Sequence, residues 1–459
     1  MRRLFAVAAL LALAVPAVAQ DRPPNPYRSN PADEDWTFLK TSPKADVWDP
    51  IKYIRLGPDD WSLTLSGEAR LRPEGFRIRE TANRQAIVDN YLLQRYLFGS
   101  DLRMGRRLRV FGEVQSGVIN GSLRSPRPSD ANAFDLHQAF VEFRQPVGKS
   151  GTLTFTGGRQ EMEIGSSRLI SASPGLNVKR SFDGFSASYR HTSWVVAAGV
   201  AQLVGLSSGW FDDRPDPGQK FWGVAAARRG RLLGRSEMGG YYLGIDRDVS
   251  VYAQGIGSEV RHTAGFKWSG GSRFDLNYDA VFQWGEFKAA PIRAWAFVTE
   301  TGYRWTSAAW RPRIAVRSDI ASGDDDPRNA SLQSFNPLFP GNSYSGAVGL
   351  LGPTNLTDFT PSLTFLPRRD LVIGLEAPSY WRTSSADGVY STDLRVLIRP
   401  EAGSGKYVGT NPGVIVVWRP TTHLEFQGAI TRFLSGEFLE NTFVASGFGF
   451  YSFTTRYRF

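Results

Sequence analysis

The sequence predicts an all-β fold, a transmembrane antiparallel up-and-down β-barrel of about 18 strands. Three observations carry this. A secretory leader is followed by no apolar stretch long enough for a helical span, segments of strict alternation recur along the chain, and the closing run from Tyr451 to Phe459 places aromatics on every second position apart from Thr455.

The chain opens with Met1-Arg2-Arg3, continues apolar from Leu4 to Val15 and reaches Ala17-Val18-Ala19 before Gln20. This is the three-part layout of a cleavable signal, so residues 1–19 are read as a signal peptide. Nowhere downstream do about 18 apolar residues run uninterrupted, which excludes helical spans. Residues 20–60, rich in Pro, Asp and Trp and without period 2, are expected to form an irregular periplasmic lead-in. Residues 61–459 are assigned to the barrel.

From Trp61 to Arg72, one face carries Trp61, Leu63, Leu65, Ala69 and Leu71, and the other only hydroxyls and charges. From Arg273 to Gly285, Phe274, Leu276, Tyr278, Ala280, Phe282 and Trp284 oppose Arg273, Asp275, Asn277, Asp279 and Gln283. A spanning strand needs about 9–11 residues. Segments of this kind fall at 61–73, 88–104, 107–119, 134–145, 151–160, 180–190, 193–204, 219–230, 236–246, 258–269, 273–287, 292–306, 310–321, 357–367, 370–381, 408–419, 422–433 and 445–459. Ser343 to Gly352 is an alternative strand that would shift this count. Tight links fall between even and following odd strands and mostly longer ones between odd and even, as short periplasmic turns and long external loops require. A soluble sandwich has no reason to sort its loops this way. The terminal aromatic strand ending in Phe459 is the expected contact for the outer-membrane assembly machinery.

Zero cysteines in a secreted chain remove any disulfide framework or thiolate site. The formal charge of +10 falls by the two leader arginines to +8, a balance that suits anionic lipid or anionic solutes. The leader argues against nucleic acid. The four histidines His137, His191, His262 and His423 are scattered, with no Gly-x-Ser-x-Gly or His-Glu-x-x-His. The chain is therefore read as no enzyme and as free of cofactors.

If the apolar face meets lipid, the opposite positions line an aqueous lumen. By parity the candidate pore-lining residues are Arg70, Arg72, Arg95, Arg103, Arg109, Arg144, Arg261, Arg273, Arg304, Arg313, Arg317 and Arg456, against Glu68, Asp101, Glu113, Asp275 and Asp279. Guanidinium offers a planar fork matched to carboxylate or phosphate, and rings of arginine select anions. Mutual pairing across neighbouring strands is the competing role for each arginine. Loops 322–356 and 382–406 are candidates for folding inward as a constriction. Asp324, Asp325 and Asp326 are a candidate calcium site, although they lack EF-hand spacing.

Beyond these patterns, Tyr91-Leu92-Leu93-Gln94-Arg95, Asp135 to Glu142, Gly158-Arg159-Gln160-Glu161, Arg180 to Gly184, Ala321 to Pro327 and Phe335 to Pro340 resemble the alginate-export family of outer-membrane proteins, from about Trp36 to Phe459. The resemblance implies a monomeric eighteen-stranded barrel whose basic lumen carries a polyuronate outward. One departure is the link from Arg419 to Thr421, short where a long periplasmic loop is expected. The leading expectation is passive export of an anionic polysaccharide. The alternatives are a diffusion porin for small anions, or a structural barrel with a plugged lumen.

Overall fold

The computed structural model describes residues 25–459 apart from 58–59, 80–85, 165–167, 233, 327, 342–347, 404 and 443–446. The alternating segments form eighteen antiparallel strands closed into one barrel. They are β1 (Ser62–Arg79), β2 (Ala86–Met104), β3 (Leu108–Asn120), β4 (Asn132–Val147), β5 (Gly151–Gln160), β6 (Phe182–Arg190), β7 (Trp194–Gly205), β8 (Arg214–Gly230) and β9 (Arg235–Tyr252). The second half holds β10 (Gly255–Gly271), β11 (Phe274–Phe287), β12 (Ala290–Arg304), β13 (Arg313–Ala321), β14 (Leu356–Arg368), β15 (Leu371–Glu376, resuming at Ser379–Arg382), β16 (Tyr407–Thr410, resuming at Gly413–Trp418), β17 (Leu424–Ser435) and β18 (Gly447–Arg458). Pro378 and Pro412 stand at the two interruptions, where a residue without an N–H removes a ladder bond. Of the alternative strand, residues 342–347 lie outside the described residues and 348–352 carry no strand.

The ladder closes where β1 pairs with β18, from Glu68 opposite Arg458 to Ile78 opposite Phe448. Gly67 and Phe459 extend it by two backbone hydrogen bonds of 2.9 and 3.0 Å. Closure leaves no unpaired edge. The pleat sends Phe266, Phe282, Trp284, Phe297 and Phe453 outward, exposed although apolar, while Thr263, Asp279, Gln283 and Thr454 on the same strands are buried inside. That inversion of the soluble pattern is what a lipid-facing wall demands.

Links from even to odd strands are short, such as Gly105–Arg107 and Ser272-Arg273, and define one end of the barrel. The long links 161–181, 322–355 and 383–406 all leave the other end. Two links at that end are tight instead. In one of them Lys288 and Ala289 take φ of +52° and +65°, the pair of left-handed residues that a type I′ hairpin requires.

The interior is substantially filled. Lumen-facing Tyr241, Leu243, Ile245, Val281, Ile292 and Ala296 pack against Leu169 and Ile170 of the first long loop and Leu332, Phe335, Leu338 and Phe339 of the second. Each such large apolar side chain contributes roughly 1.5–3 kcal/mol on burial, so both loops are held inside by a core of their own. Tyr390 and Leu394 of the third loop complete it.

From the short-turn end the lead-in also enters. Asn30 caps a 3-10 turn at Pro31–Asp33, accepting from the Ala32 amide at 3.0 Å, and Ala32 reaches Phe111 and Phe140 on the inner wall. The lead-in, expected as an irregular segment, is therefore partly intraluminal at its Pro31–Asp33 turn.

Candidate pore interior

Alternation along β1 and β2 brings Arg70, Arg72 and Arg95 to the inner wall, with Arg70 opposite Arg95 in register. All three aim at one turn of the first long loop. Arg70 donates from Nη1 to the Pro174 and Gly175 carbonyl oxygens at 3.3 and 3.2 Å, and from Nη2 to Leu176 O at 2.8 Å and Asn177 Oδ1 at 3.1 Å. Arg95 donates to Pro174 O at 2.9 Å and Leu176 O at 2.8 Å, and Arg72 to Gly175 O at 3.0 Å. Arg95 also pairs with Glu68, which receives Arg456 and Arg458 from β18 as well. Arg72 pairs with Glu74. Arg70 differs. It is 1 % exposed, donates hydrogen bonds only to uncharged oxygens among the described residues, and its Nε is a buried donor without a hydrogen-bond partner among them.

Below this cradle, Asp101 is shared by Arg103 at 3.1 Å and Arg109 at 2.7 Å. Both arginines continue to the lead-in, Arg103 to Glu34 O and Arg109 to Ala32 O. Glu113, His137 and Glu161 converge closely enough to hold a metal ion. The Lys179 ammonium, however, pairs with Glu161 at the same point, so a protein cation already sits among these carboxylates.

Across the lumen, Arg261 is fully buried between Glu259, Gln283 Oε1 at 2.7 Å and Ser334 O at 3.2 Å. Arg247 reaches Leu338 O, and Arg180 reaches Ser171 O and Phe339 O. Asp279 accepts from Tyr241 at 2.8 Å. Arg313 pairs with Asp275 and Glu300, carboxylates that keep 30 % and 32 % exposure, and Arg317 with Asp319 and Asp358. On this side, near the short-turn end, the inner wall still meets water. Arg304 lies opposite Arg313 there, Arg144 pairs with Glu142, and Arg273 is exposed at the rim.

The acidic run diverges. Asp324 is fully buried and donates its amide to Asp387 at 3.0 Å, while Asp325 receives Gln333 and Asp326 pairs with Arg328 at the surface. Burial, reinforced by Asp387 and Asp325, pushes the Asp324 carboxyl up to about 6.

Parity reasoning reached the wall arginines but not what they hold. Arg247 lies one residue past the predicted strand end, and Asn177, Lys179 and Asn336 sit in loops that carry no periodic signal. Loops 322–356 and 382–406, expected to fold inward, do send Phe335, Phe339 and Tyr390 into the interior, but nothing in the sequence marked Ser173-Pro174-Gly175 of the first long loop for the same course.

A closed eighteen-stranded barrel with an apolar outer wall and a charged interior is a pore of the bacterial outer membrane, porin-like in class. Its fold is similar to that of OccAB3 from Acinetobacter baumannii, with 9 % identity over 86 % of this chain and 99 % of that one at a TM-score of 0.57. It is similar also to a BenF-like porin from Pseudomonas fluorescens Pf-5, with 9 % identity, 86 % and 98 % coverage and a TM-score of 0.57. OccK1 (OpdK) from Pseudomonas aeruginosa gives 13 % identity, 86 % and 98 % coverage and a TM-score of 0.54. The chain belongs to the alginate export family, whose sequence model matches residues 61–447. No curated protein sequence matches it significantly.

Proposed function

We propose that this pore conducts anionic solutes, with an alginate-like polyuronate moving outward as the first candidate, and that Arg70, Arg72 and Arg95 are its recognition element. The observation that carries the reading is Arg70. Its guanidinium is held by peptide carbonyls and an amide oxygen, with no carboxylate among its described hydrogen-bond partners, and the nearby Glu68 is already shared by Arg95, Arg456 and Arg458, so its positive charge is solvated more than it is cancelled. Buried in surroundings of low dielectric, such a charge acts on an approaching anion far more strongly than the same charge in water. Family membership supports the substrate class.

A second reading, diffusion of small anions such as organic acids, is favoured by the lead-in and loops that fill the barrel from both ends. Reversal potentials in planar bilayers test the shared claim. Anion selectivity that falls when Arg70, Arg72 and Arg95 are replaced by Ser supports it, and unchanged potentials refute the lumenal role. Conductance blocked by polyuronate then favours the polymer, and block by small acids alone favours the porin.

A further inference from the structure

We infer that the turn Pro174–Leu176 is an internal surrogate ligand, whose carbonyl oxygens occupy the seat of a substrate carboxylate and which such a carboxylate displaces. The inference rests on the anionic-solute reading above and assigns its regulation.

Three guanidinium groups from two adjacent strands converge on three consecutive carbonyl oxygens, with six hydrogen bonds between 2.8 and 3.3 Å. That arrangement of planar donors around clustered oxygens is the one by which arginines grip carboxylate groups. A neutral carbonyl fills it less well, because it brings neither the opposite charge nor the paired oxygens that match the guanidinium fork. The unpartnered Nε of Arg70 is a further donor that the turn leaves unused.

The turn is built to move at its tip and not at its base. Asn177, Val178 and Lys179 are buried, and Asn177 Nδ2 lies 2.8–3.1 Å from the carbonyl oxygens of Gln94, Val118 and Asp130. Pro174, by contrast, is exposed, and Gly175 and Leu176 are half-exposed. On the other flank Ser173 takes a φ of +51°, a left-handed conformation that a non-glycine residue holds only under constraint. A solute carboxylate reaching the tip therefore exchanges three neutral acceptors for one charged acceptor, releases the tip, and leaves the base in place. The lumen on the β1–β2 side widens as a result, so the pore opens in response to what it carries.

The chain has no cysteine, so Pro174→Cys provides a single thiol at the tip. The experiment measures its labelling rate by a water-soluble maleimide in liposome-inserted protein, with a short oligouronate or a neutral oligosaccharide of equal length, alongside oligouronate binding by calorimetry. The expected result is acceleration by oligouronate alone of about fivefold or more, the lower end of ordinary coupling between sites. Arg70→Gln in the same background should label fast without ligand and respond no further. Heat-modifiable migration checks that each variant forms a barrel, and Arg70→Lys, which keeps the charge without the fork, should also label fast. Oligouronate binding with unchanged labelling overturns the surrogate and leaves the anionic-solute reading intact. Absence of oligouronate binding overturns the surrogate, and open conductance without anion selectivity overturns both.

Discussion

Arg109 joins two parts of the molecule that the chain separates. Its Nη2 donates to the Ala32 carbonyl oxygen at 2.7 Å while its Nε holds Asp101 on the barrel wall at 2.7 Å. The lead-in is thus tied to the inner wall through a charged group rather than by apolar contact alone. Arg109→Gln removes a charge-assisted anchor worth about 1.5–3 kcal/mol. Limited proteolysis should then cut between residues 27 and 52 faster than in the parent, with the barrel itself untouched. Equal cleavage rates would show that Phe111 and Phe140 suffice to hold Ala32.

Asn336 performs the corresponding task for the second long loop. It is fully buried, donates to the Tyr252 hydroxyl at 2.9 Å and to Glu259, and its amide meets Gln283 Oε1 at 3.0 Å. Asn336→Leu leaves Glu259 short of a donor, a loss of about 1–3 kcal/mol. Single-channel recordings should show larger conductance and more frequent transitions, because Phe335 and Phe339 lose the link that positions them. A conductance equal to the parent's would assign the loop's position to apolar packing.

Mild acid should tighten the same loop. Asp324 in the folded protein titrates at about 6 against an ordinary 3.8, from desolvation first and then from Asp387 and Asp325. A carboxyl whose folded value is raised favours the folded state below its ordinary value, and that contribution is lost as pH rises through about 6. Hydrogen exchange in residues 322–341 should therefore be more protected at pH 5 than at pH 7.5 after correction for intrinsic rates. Asp324→Asn, which mimics the protonated form, should show the pH 5 protection at both values. Protection that rises with pH would contradict this.

Gly67 has no room for a side chain, because a Cβ there would meet the ring of Phe459. Gly67→Val should displace that ring and disturb the two backbone bonds that end the closing ladder. The expected outcome is a smaller heat-modifiable fraction after refolding into detergent, by severalfold, since overpacking costs about 1–3 kcal/mol at a site that also seals the barrel.

The strands were legible because a wall between lipid and lumen imposes period 2 on every one of them, as in Phe282 and Trp284 against Gln283. Parity then placed Arg70 and Arg95 on the inner side. Their partners were not legible. Pro174 to Asn177 carry no period, and the carbonyl oxygens that matter belong to the backbone, which sequence does not label. The same limit applies to Asp324, Asp325 and Asp326. Adjacency suggested a shared ion, but the chain direction at Gly323 buries the first and turns the other two outward. The lead-in shows a third case, since a Pro-rich stretch without regular structure still has a defined seat once Phe111 and Phe140 provide it.

That seat fixes an order of events. Residues of the lead-in touch both margins of the barrel, with Asn30 and Ala32 on the wall of β3 and β4, Asp46 on His423, and Trp48 stacked on Phe459 at 4.4 Å and donating to the Tyr457 hydroxyl. These surfaces come together only when β18 has found β1. The segment synthesised before the barrel is therefore the last to settle. Its docking acts as a seal on a completed cylinder, and a chain still open at the seam has nowhere to put it.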